Sequence, residues 1–390
     1  MTTAKATPKF SLAQKFFILK NSDMFKAPKN ANFLVLVGIV SVLNIIGVVM
    51  VLSASSIQSI NKHGSPWYYV QKQFFWLALG LAAFTFASRF HYTLWQKLTK
   101  YVVVGSIALL TIVLIPGIGI MANGSRRWLG FGSITIQPSE IAKFAIILFC
   151  ADFLNRRVKK MGSFKEIMLP IILMTGLIMF LIASAPDFDS AAVIAMIALP
   201  IIIMAGVPLN YIGRLAIPVG VIAAFVFAFQ PYRTARLFSF LNPTADTGNL
   251  GYQLNQSLIA LGSGNITGVG PGEGKAKWSY LPNAHTDLIF SIIGEELGLI
   301  GTLMVVTLFA GFIALGIRII LNCPDRFSAL LATGIVAWIG GQAAVNILAA
   351  IGLFPIVGFT LPFVSFGGSS LVISMAAAGV LANIARHSRA

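Results

Sequence analysis

Charged residues, and acidic residues above all, are scarce in this sequence. Only 12 of its 390 residues are aspartate or glutamate, 10% are charged and 57% are apolar, with a mean hydropathy of +0.85. So few charges in so apolar a chain exclude a disordered protein and an ordinary soluble enzyme. The composition predicts a protein that crosses a membrane several times.

Cysteine is also scarce, and the chain has no internal repeat and no low-complexity tract. Its two cysteines, Cys150 and Cys323, lie in or beside apolar segments on the predicted cytoplasmic side, which argues against a disulfide framework. The formal charge of +16 would suggest nucleic-acid binding in a soluble protein, but here the basic residues cluster between apolar stretches, as topology-setting charges do. We therefore expect membrane lipid, and no nucleic acid, among the partners.

Ten apolar stretches approach the length of about 20 residues that a membrane-spanning helix needs. They lie near residues 33–53, 73–88, 101–120, 139–154, 167–185, 190–206, 212–230, 288–320, 328–350 and 369–385. The sequence therefore predicts an all-α polytopic membrane protein. Residues 1–32 form a basic cytoplasmic tail, and residues 33–390 form a single transmembrane domain with a large extracytoplasmic loop, 231–286, between the seventh and eighth helices.

The positions of lysine and arginine set the predicted orientation. With the amino terminus in the cytoplasm, the cytoplasmic segments hold 19 of the 28 basic residues and the outer segments hold 8, with Lys143 inside a span. Because basic residues accumulate on the cytoplasmic side, both termini are expected to face the cytoplasm. The tail lacks a cleavage pattern after a short apolar core, so we expect it to be retained in a protein of the cytoplasmic (inner) membrane.

The rare ionisable residues gather between Tyr280 and Gly298, at the mouth of the eighth predicted span. Asp287 follows Thr286, a good helix N-cap, so its carboxylate is predicted to lie in the first turn of that span. One interpretation is that the carboxylate only complements the helix dipole. The other is that a carboxylate shielded at the boundary between water and membrane acts as a general base. The neighbouring His285 and the basic residues on the same side favour the second.

Basic residues on the outer side are suited to an anionic ligand. The set comprises Arg126, Arg127, Arg233, Arg236, Lys275 and Lys277. Each one alone is more typical of a contact with a lipid head group or a loop carboxylate. Together they favour a phosphorylated lipid, since guanidinium groups bind phosphate oxygens in a bidentate manner.

Two further pairs of charged residues fall near span ends. Glu140 and Lys143 are three apart on one face of the fourth span, which predicts either an internal ion pair or ligand contact. Neither side chain is expected to face lipid. Asp187 and Asp189 invite a metal interpretation, but a tight turn is the better prediction for such a short Asp-Ser segment.

With these residues identified, the chain resembles the SEDS (shape, elongation, division and sporulation) family over about residues 33–383. The matching motifs, in order, are NGSRRW at 123–128, IQPSEIAK at 136–143, PDFDSA at 186–191, GYQLNQSLIALGSG at 251–264, YLPNAHTD at 280–287, EELG at 295–298 and LPFVSFGGSS at 361–370. Some positions depart from the family pattern. Ala185 stands where the family has Gln or Glu, and Asp189 stands where it has Gly. Phe366 stands where tyrosine is common. Ile356 and Val357 replace the Thr-Lys of many division-type members, so an elongation-type role stays open.

The resemblance implies a peptidoglycan glycosyltransferase that polymerises lipid II at the outer face of the cytoplasmic membrane and releases undecaprenyl diphosphate. It implies a class B penicillin-binding protein and other division proteins as partners, at the division septum. Asp287 matches the family's essential aspartate. Arg126 and Arg127 match an arginine region of the family, and Glu140 and Lys143 match its QPSE-x-x-K segment. Both regions are linked to activity or substrate engagement in the family. We also expect Lys275 and His285 to bind substrate.

One carboxylate suffices for this chemistry, because the diphosphate leaving group is already a stabilised anion and needs no protein acid. Asp287 would deprotonate the acceptor hydroxyl, and outer basic residues, or a divalent cation such as Mg or Mn, would stabilise the departing charge. No other cofactor is expected. A lipid II flippase, and a non-catalytic scaffold for division proteins, are the alternatives from other functional classes.

Overall fold

Helices dominate the part of the chain that the structure describes. The computed structural model of the protein describes residues 31–122, 125–131, 134–211, 213–214, 240, 250–278, 280–282 and 284–388. Its helices are α1 (Ala31–His63), α2 (Tyr68–Arg89), α3 (Thr93–Leu114), α4 (Pro138–Arg156), α5 (Phe164–Ser184), α6 (Phe188–Met204), α7 (Leu250–Ser263), α8 (Ile289–Leu321), α9 (Arg326–Ala350) and α10 (Gly368–His387), with a 3-10 turn at Val158–Lys160.

The helices confirm a multi-span α-helical membrane protein. Within the described residues, six helices (α1, α3, α5, α8, α9 and α10) are long and apolar enough to cross a bilayer, and α6 is a shorter apolar helix. The predicted seventh span at 212–230 lies almost wholly outside the described residues, as do Arg233, Arg236 and nearly all of the amino-terminal tail. The count of ten spans, like the division into tail and domain, stays a prediction.

A small sheet follows α3, where the sequence was predicted to remain helical up to residue 120. Strands β1 (Gly119–Ala122), β2 (Ser125–Phe131) and β3 (Ile134–Ile136) pair antiparallel in that order. The predicted end of the third span is therefore wrong. Pro116 cannot continue a helix, and Gly117 adopts a φ of +91°, a backbone conformation that glycine tolerates best.

Helices α9 and α10 form the centre of the bundle. In the most apolar 18-residue stretch of each helix, 67% of the residues of α9 and 78% of those of α10 are buried, against 28% for α3 and α5. Helix α10 packs against α2 and α1, and α9 packs against α8, α6 and α4. The peripheral helices expose apolar side chains such as Ile45, Phe180 and Ile300, which suits contact with lipid. A groove of about 520 Å³ along α2, lined in part by Leu81 and Phe86, belongs to this exposed surface.

Helix α8 is broken at Gly298, and a loop segment fills the break. Gly298 has a φ of +67°, and a Cβ there would lie 2.3 Å from the backbone nitrogen of Gly268. The freed backbone groups bond to the segment 265–270: Leu299 N donates to Asn265 O at 2.9 Å, and Glu295 O accepts from the segment at 3.0 Å. Such pairing is what non-helical backbone in a membrane protein requires. The break divides α8 into a short first part and a second part, 299–321, that is by itself long enough to span a bilayer.

Candidate active site

Four segments separated in sequence meet at one end of the bundle, around the turn that carries Asp287. The start of α4 is joined to the start of α10 by a bond from Gln137 N to Ser369 Oγ at 3.1 Å. The first turn of α6 is joined to the 351–367 loop by a bond from Gly358 N to Asp189 Oδ2 at 2.9 Å. The same loop reaches the 284–288 turn through Ser365 and Phe366. The predicted outer motifs therefore converge on one site.

Asp287 lies in the turn that precedes α8, and its neighbours are fixed through their backbone carbonyls. His285 O accepts from Phe366 N at 2.9 Å, and Thr286 O accepts from Ser365 Oγ at 2.6 Å. Asp287 O accepts from Asn346 Nδ2 at 2.9 Å. Three successive residues are thus held by tertiary bonds, with Asp287 partly exposed at their end.

The predicted N-cap role of Thr286 is wrong. The helix begins at Ile289, and the residue at its N-cap is Leu288, which makes no side-chain capping bond. Asp287 therefore precedes the first turn instead of lying within it. Because the carbonyls of residues 285 to 287 are engaged by other parts of the protein, the helix starts later than the local sequence predicts.

His285 is buried beside the aromatic rings of Tyr69 and Phe366. The ring centroids lie 4.9 Å and 5.7 Å from that of His285, and the Nδ1 atom has no hydrogen-bond partner among the described residues. Burial, and secondarily the positive charge of Lys62, lower the pKa of His285 to about 4. The imidazole is therefore neutral at physiological pH and supplies no positive charge to a diphosphate. A substrate-binding role for His285 stays a prediction.

The buried imidazole predicts a specific loss of stability in acid. The unfolded chain gains a proton on His285 below pH 6.5, its ordinary pKa, whereas the folded protein does so only near pH 4. Stability should therefore fall as the pH drops through this window and level off below it. Thermal unfolding of wild type and His285→Phe from neutral pH to about pH 4 measures the effect, since carboxylate titrations are common to both proteins. Parallel curves would contradict the burial of a neutral imidazole.

Glu140 and Lys143 form an internal ion pair, one of the two predicted interpretations. Lys143 Nζ lies 2.8 Å from Glu140 Oε1, and neither side chain is more than 5% exposed. Lys143 also donates to Gln342 Oε1 at 3.3 Å, and Gln342 Nε2 donates to Thr360 O at 2.8 Å. The pair therefore connects α4 through α9 to the 351–367 loop. Contact between the Glu140–Lys143 pair and substrate stays a prediction.

The two arginines on β2 have different surroundings. Arg127 donates to the carbonyls of Ala185 and Pro186, and its guanidinium lies 3.8 Å from Asp187 Oδ1, so it fastens the sheet to the turn before α6. Arg126 is partly exposed, opposite Met121 in the strand pair. Of the two, Arg126 is the better placed for an external anion, while substrate binding by either stays a prediction.

Asp187 and Asp189, at the start of α6, have structural partners. Asp187 caps α6 by accepting from Ser190 N, and it also accepts from Gln137 Nε2 at 2.9 Å and from Ser139 Oγ at 3.0 Å. The prediction of a tight turn holding both aspartates is therefore wrong in its extent: the turn covers residues 185–186, Asp187 is the N-cap and Asp189 lies in the first turn of α6. In the described ranges, no group of three or more His, Cys, Asp or Glu residues is arranged to hold a metal ion.

Glu295 and Glu296, at the end of the predicted ionisable cluster, fasten the outer loop to α8. Glu295 accepts from the backbone nitrogens of Lys275 and Ala276, the shorter bond being 2.7 Å. Glu296 Oε1 lies 2.9 Å from Lys277 Nζ in a pair whose side chains are 4% and 0% exposed. Because Lys277 is buried and paired with Glu296, it is not available to bind an external anion as predicted. Lys275 is exposed.

Three residues that position the site were missed by the sequence analysis: Gln342, Asn346 and Ser365. Gln342 and Asn346 are four apart on α9, so they share one face of an otherwise apolar helix. Polar side chains at that spacing in a membrane span favour a role inside the bundle, and this signal was available in the sequence.

Comparison with known proteins places the whole described domain in one family. Residues 33–390 match the model of the FtsW/RodA/SpoVE family, described as "Cell cycle protein". The chain is 38% identical over 338 residues to "Probable peptidoglycan glycosyltransferase FtsW" of Geobacter metallireducens, covering 87% of this chain and 90% of the relative. It is also 38% identical over 363 residues to "Stage V sporulation protein E" of Bacillus subtilis, covering 93% and 99%.

A solved structure has the same architecture. A chain from "Structural coordination of polymerization and crosslinking by a peptidoglycan synthase complex" is 26% identical, with a TM-score of 0.76, and the similarity covers 90% of this chain and 97% of that one. The fold built around the 284–288 turn is therefore shared with a component of a peptidoglycan synthase complex.

Proposed function

Since this chain belongs to the FtsW/RodA/SpoVE family of cell cycle proteins, we propose that it is a peptidoglycan glycosyltransferase that polymerises lipid II at the outer face of the cytoplasmic membrane. The observation that carries the proposal is the fixed turn at residues 285–287, which holds Asp287 partly exposed where the outer motifs converge. A carboxylate held in this way is suited to general base catalysis.

In the proposed reaction, Asp287 accepts the proton of a sugar hydroxyl on the acceptor. The hydroxyl oxygen forms a glycosidic bond to the anomeric carbon of the donor, and the bond from that carbon to the diphosphate oxygen breaks. The electron pair of that bond leaves with undecaprenyl diphosphate. The proton stays on Asp287 until it is lost to water, which restores the carboxylate.

Basic residues carry the charge of the departing diphosphate in this proposal. The candidates are Lys275, which is exposed, and Arg126, which is partly exposed. Arg127 is a third candidate, although its guanidinium also contacts the 185–187 turn. A divalent cation, Mg or Mn, remains the alternative. Asp187 and Asp189 already accept bonds from protein donors and do not fit as a ready pair of ligands, so no step is assigned to a metal.

The proposed partner is a class B penicillin-binding protein, whose transpeptidase would crosslink the glycan strands. The structural relative belongs to a complex that combines polymerization and crosslinking, which supports this pairing. Action at the division septum with other division proteins is favoured by the relatives named FtsW, whereas the sporulation relative and the Ile356-Val357 departure keep related wall-building roles open. Cytoplasmic termini complete the proposed topology.

The test is polymerisation of labelled lipid II by the purified chain with the penicillin-binding protein of its own organism, the transpeptidase being inactivated. We expect a ladder of glycan strands that appears only when both proteins are present. The same proteins in liposomes, with lipid II labelled in one leaflet, test the flippase alternative. Movement of lipid II without glycan would contradict the proposed function and support a transporter.

A further inference from the structure

The amide of Asn346 lies between two backbone carbonyls, one of which belongs to Asp287. We infer that Asn346 is a positioning residue, whose two N–H bonds fix the backbone of Asp287 to that of Phe359 and so hold the carboxylate in place. The inference rests on the proposed function in one respect only, that Asp287 is the base. The two bonds from Asn346 to Asp287 O and Phe359 O, here called the clamp, can be tested separately from that role.

The geometry requires both hydrogens of the amide. Asn346 Nδ2 lies 2.9 Å from Asp287 O and 3.0 Å from Phe359 O, and the side chain is 1% exposed. Both neighbours are carbonyls, which can only accept, so the NH₂ group and not the amide oxygen must face them. The NH₂ group of asparagine supplies two donors on one nitrogen, which lets a single side chain bond to both carbonyls.

The oxygen of the same amide has no hydrogen-bond partner in the described part of the chain. Replacement by leucine, which has a similar shape, therefore removes the two N–H donors and breaks no bond made by the oxygen. This makes Asn346→Leu a direct test of the clamp.

The clamp matters because the turn at residues 284–288 has no regular secondary structure of its own. The carbonyls of His285 and Thr286 are bonded to Phe366 and Ser365, which belong to the loop after α9. Asp287, by contrast, is bonded directly to α9 by Asn346, and the same amide holds the middle of that loop at Phe359. Loss of Asn346 would thus release Asp287 and loosen the support of the two residues before it.

Asn346 has no donor left for a substrate, so its effect must pass through the backbone that it holds, at Asp287 and at Phe359. A displacement of about 1 Å at a reacting group can cost on the order of 100-fold in rate. We therefore expect a loss in kcat with little change in KM, since the surfaces that would bind lipid II are untouched.

The experiment compares wild type, Asn346→Leu and Asn44→Leu as full-length proteins with the penicillin-binding partner and lipid II. Asn44 is a matched control, since it is also buried in a helix but donates to Val40 O in α1 and Met375 Sδ in α10, neither of which belongs to the 284–288 turn or to the 351–367 loop. We expect kcat to fall about 30- to 100-fold for Asn346→Leu with KM within about threefold, and no such change for Asn44→Leu. Hydrogen exchange of peptides covering 284–290 should speed up only in Asn346→Leu.

A kcat within about threefold of wild type, or unchanged exchange over 284–290, would overturn the inference. If Asn346→Leu fails to fold while Asn44→Leu folds, Asn346→Ser, which keeps one donor, decides: a reduced kcat with a wild-type melting temperature supports the clamp, and wild-type kcat and exchange reject it. Failure of the proposed function gives a different pattern, in which wild type makes no glycan but the exchange difference persists.

Discussion

Replacement of Asp287 by asparagine is expected to lower the initial rate of lipid II polymerisation by about 100-fold to 10,000-fold, the usual contribution of a positioned general base. Asparagine has nearly the shape of aspartate but cannot take a proton from the acceptor hydroxyl. The bond from Asn346 is made to the backbone carbonyl of residue 287, so it survives the change. The measurement is lipid II consumption by the purified protein with its penicillin-binding partner.

A matched control comes from an acidic residue at the opposite end of the bundle. Glu166 lies in the first turn of α5 and pairs with Lys160 at 2.9 Å, whereas the far end of α5 adjoins the 185–187 turn of the site. Glu166→Gln also exchanges a carboxylate for an amide and should leave the rate unchanged. A loss of less than about fivefold in Asp287→Asn would be too small for a general base and would contradict the proposed role.

Asp287→Glu separates position from acidity. The added methylene keeps the carboxylate but moves it by more than 1 Å, so the rate should fall between those of wild type and Asp287→Asn. Equal rates for wild type and Asp287→Glu would mean that the anchoring of residues 285–287 has no catalytic purpose.

Most of the bundle could be predicted from hydropathy and charge, because a span is recognised by length and composition alone. The small sheet at 119–136 was not predicted, since its strands are short and follow an apolar helix without a charged boundary. Pro116 and Gly117 marked the end of the helix and Asn123-Gly124 is a hairpin signal, but the prediction carried the helix past the first two and gave the last two no role.

Side-chain pairs within one helix were predictable, and pairs between distant segments were not. Glu140 and Lys143 were paired correctly as one alternative because three residues of separation bring them to one face. Lys277 was assigned to anion binding, because its partner Glu296 becomes a neighbour only when the loop folds back onto the break of α8. The start of α8 was misplaced for a similar reason: tertiary bonds to the carbonyls of 285–287 outweigh the N-cap preference of Thr286.

The second large effect is expected from breaking the buried pair of Lys277 and Glu296. Glu296 Oε2 accepts from Gly272 N at 3.0 Å, Oε1 accepts from Ser53 Oγ, and Lys277 Nζ donates to Ser53 Oγ at 3.0 Å, so the pair joins the outer loop to both α8 and α1. Removing one partner leaves a buried charge without compensation, which costs about 3–5 kcal/mol in typical proteins.

Lys277→Met and Glu296→Met are therefore each expected to lower the free energy of unfolding in detergent by about this amount, and to speed hydrogen exchange over 270–278. The double variant Lys277→Met/Glu296→Met should lose less than the sum of the single changes, because no unpaired charge remains. The exposed pair of Lys160 and Glu166 is the control, since each side chain is about half exposed and such pairs contribute about 0–1 kcal/mol. Additive losses in the double variant would mean that the two charges do not stabilise each other, and that the loop is held on α8 by its backbone bonds alone.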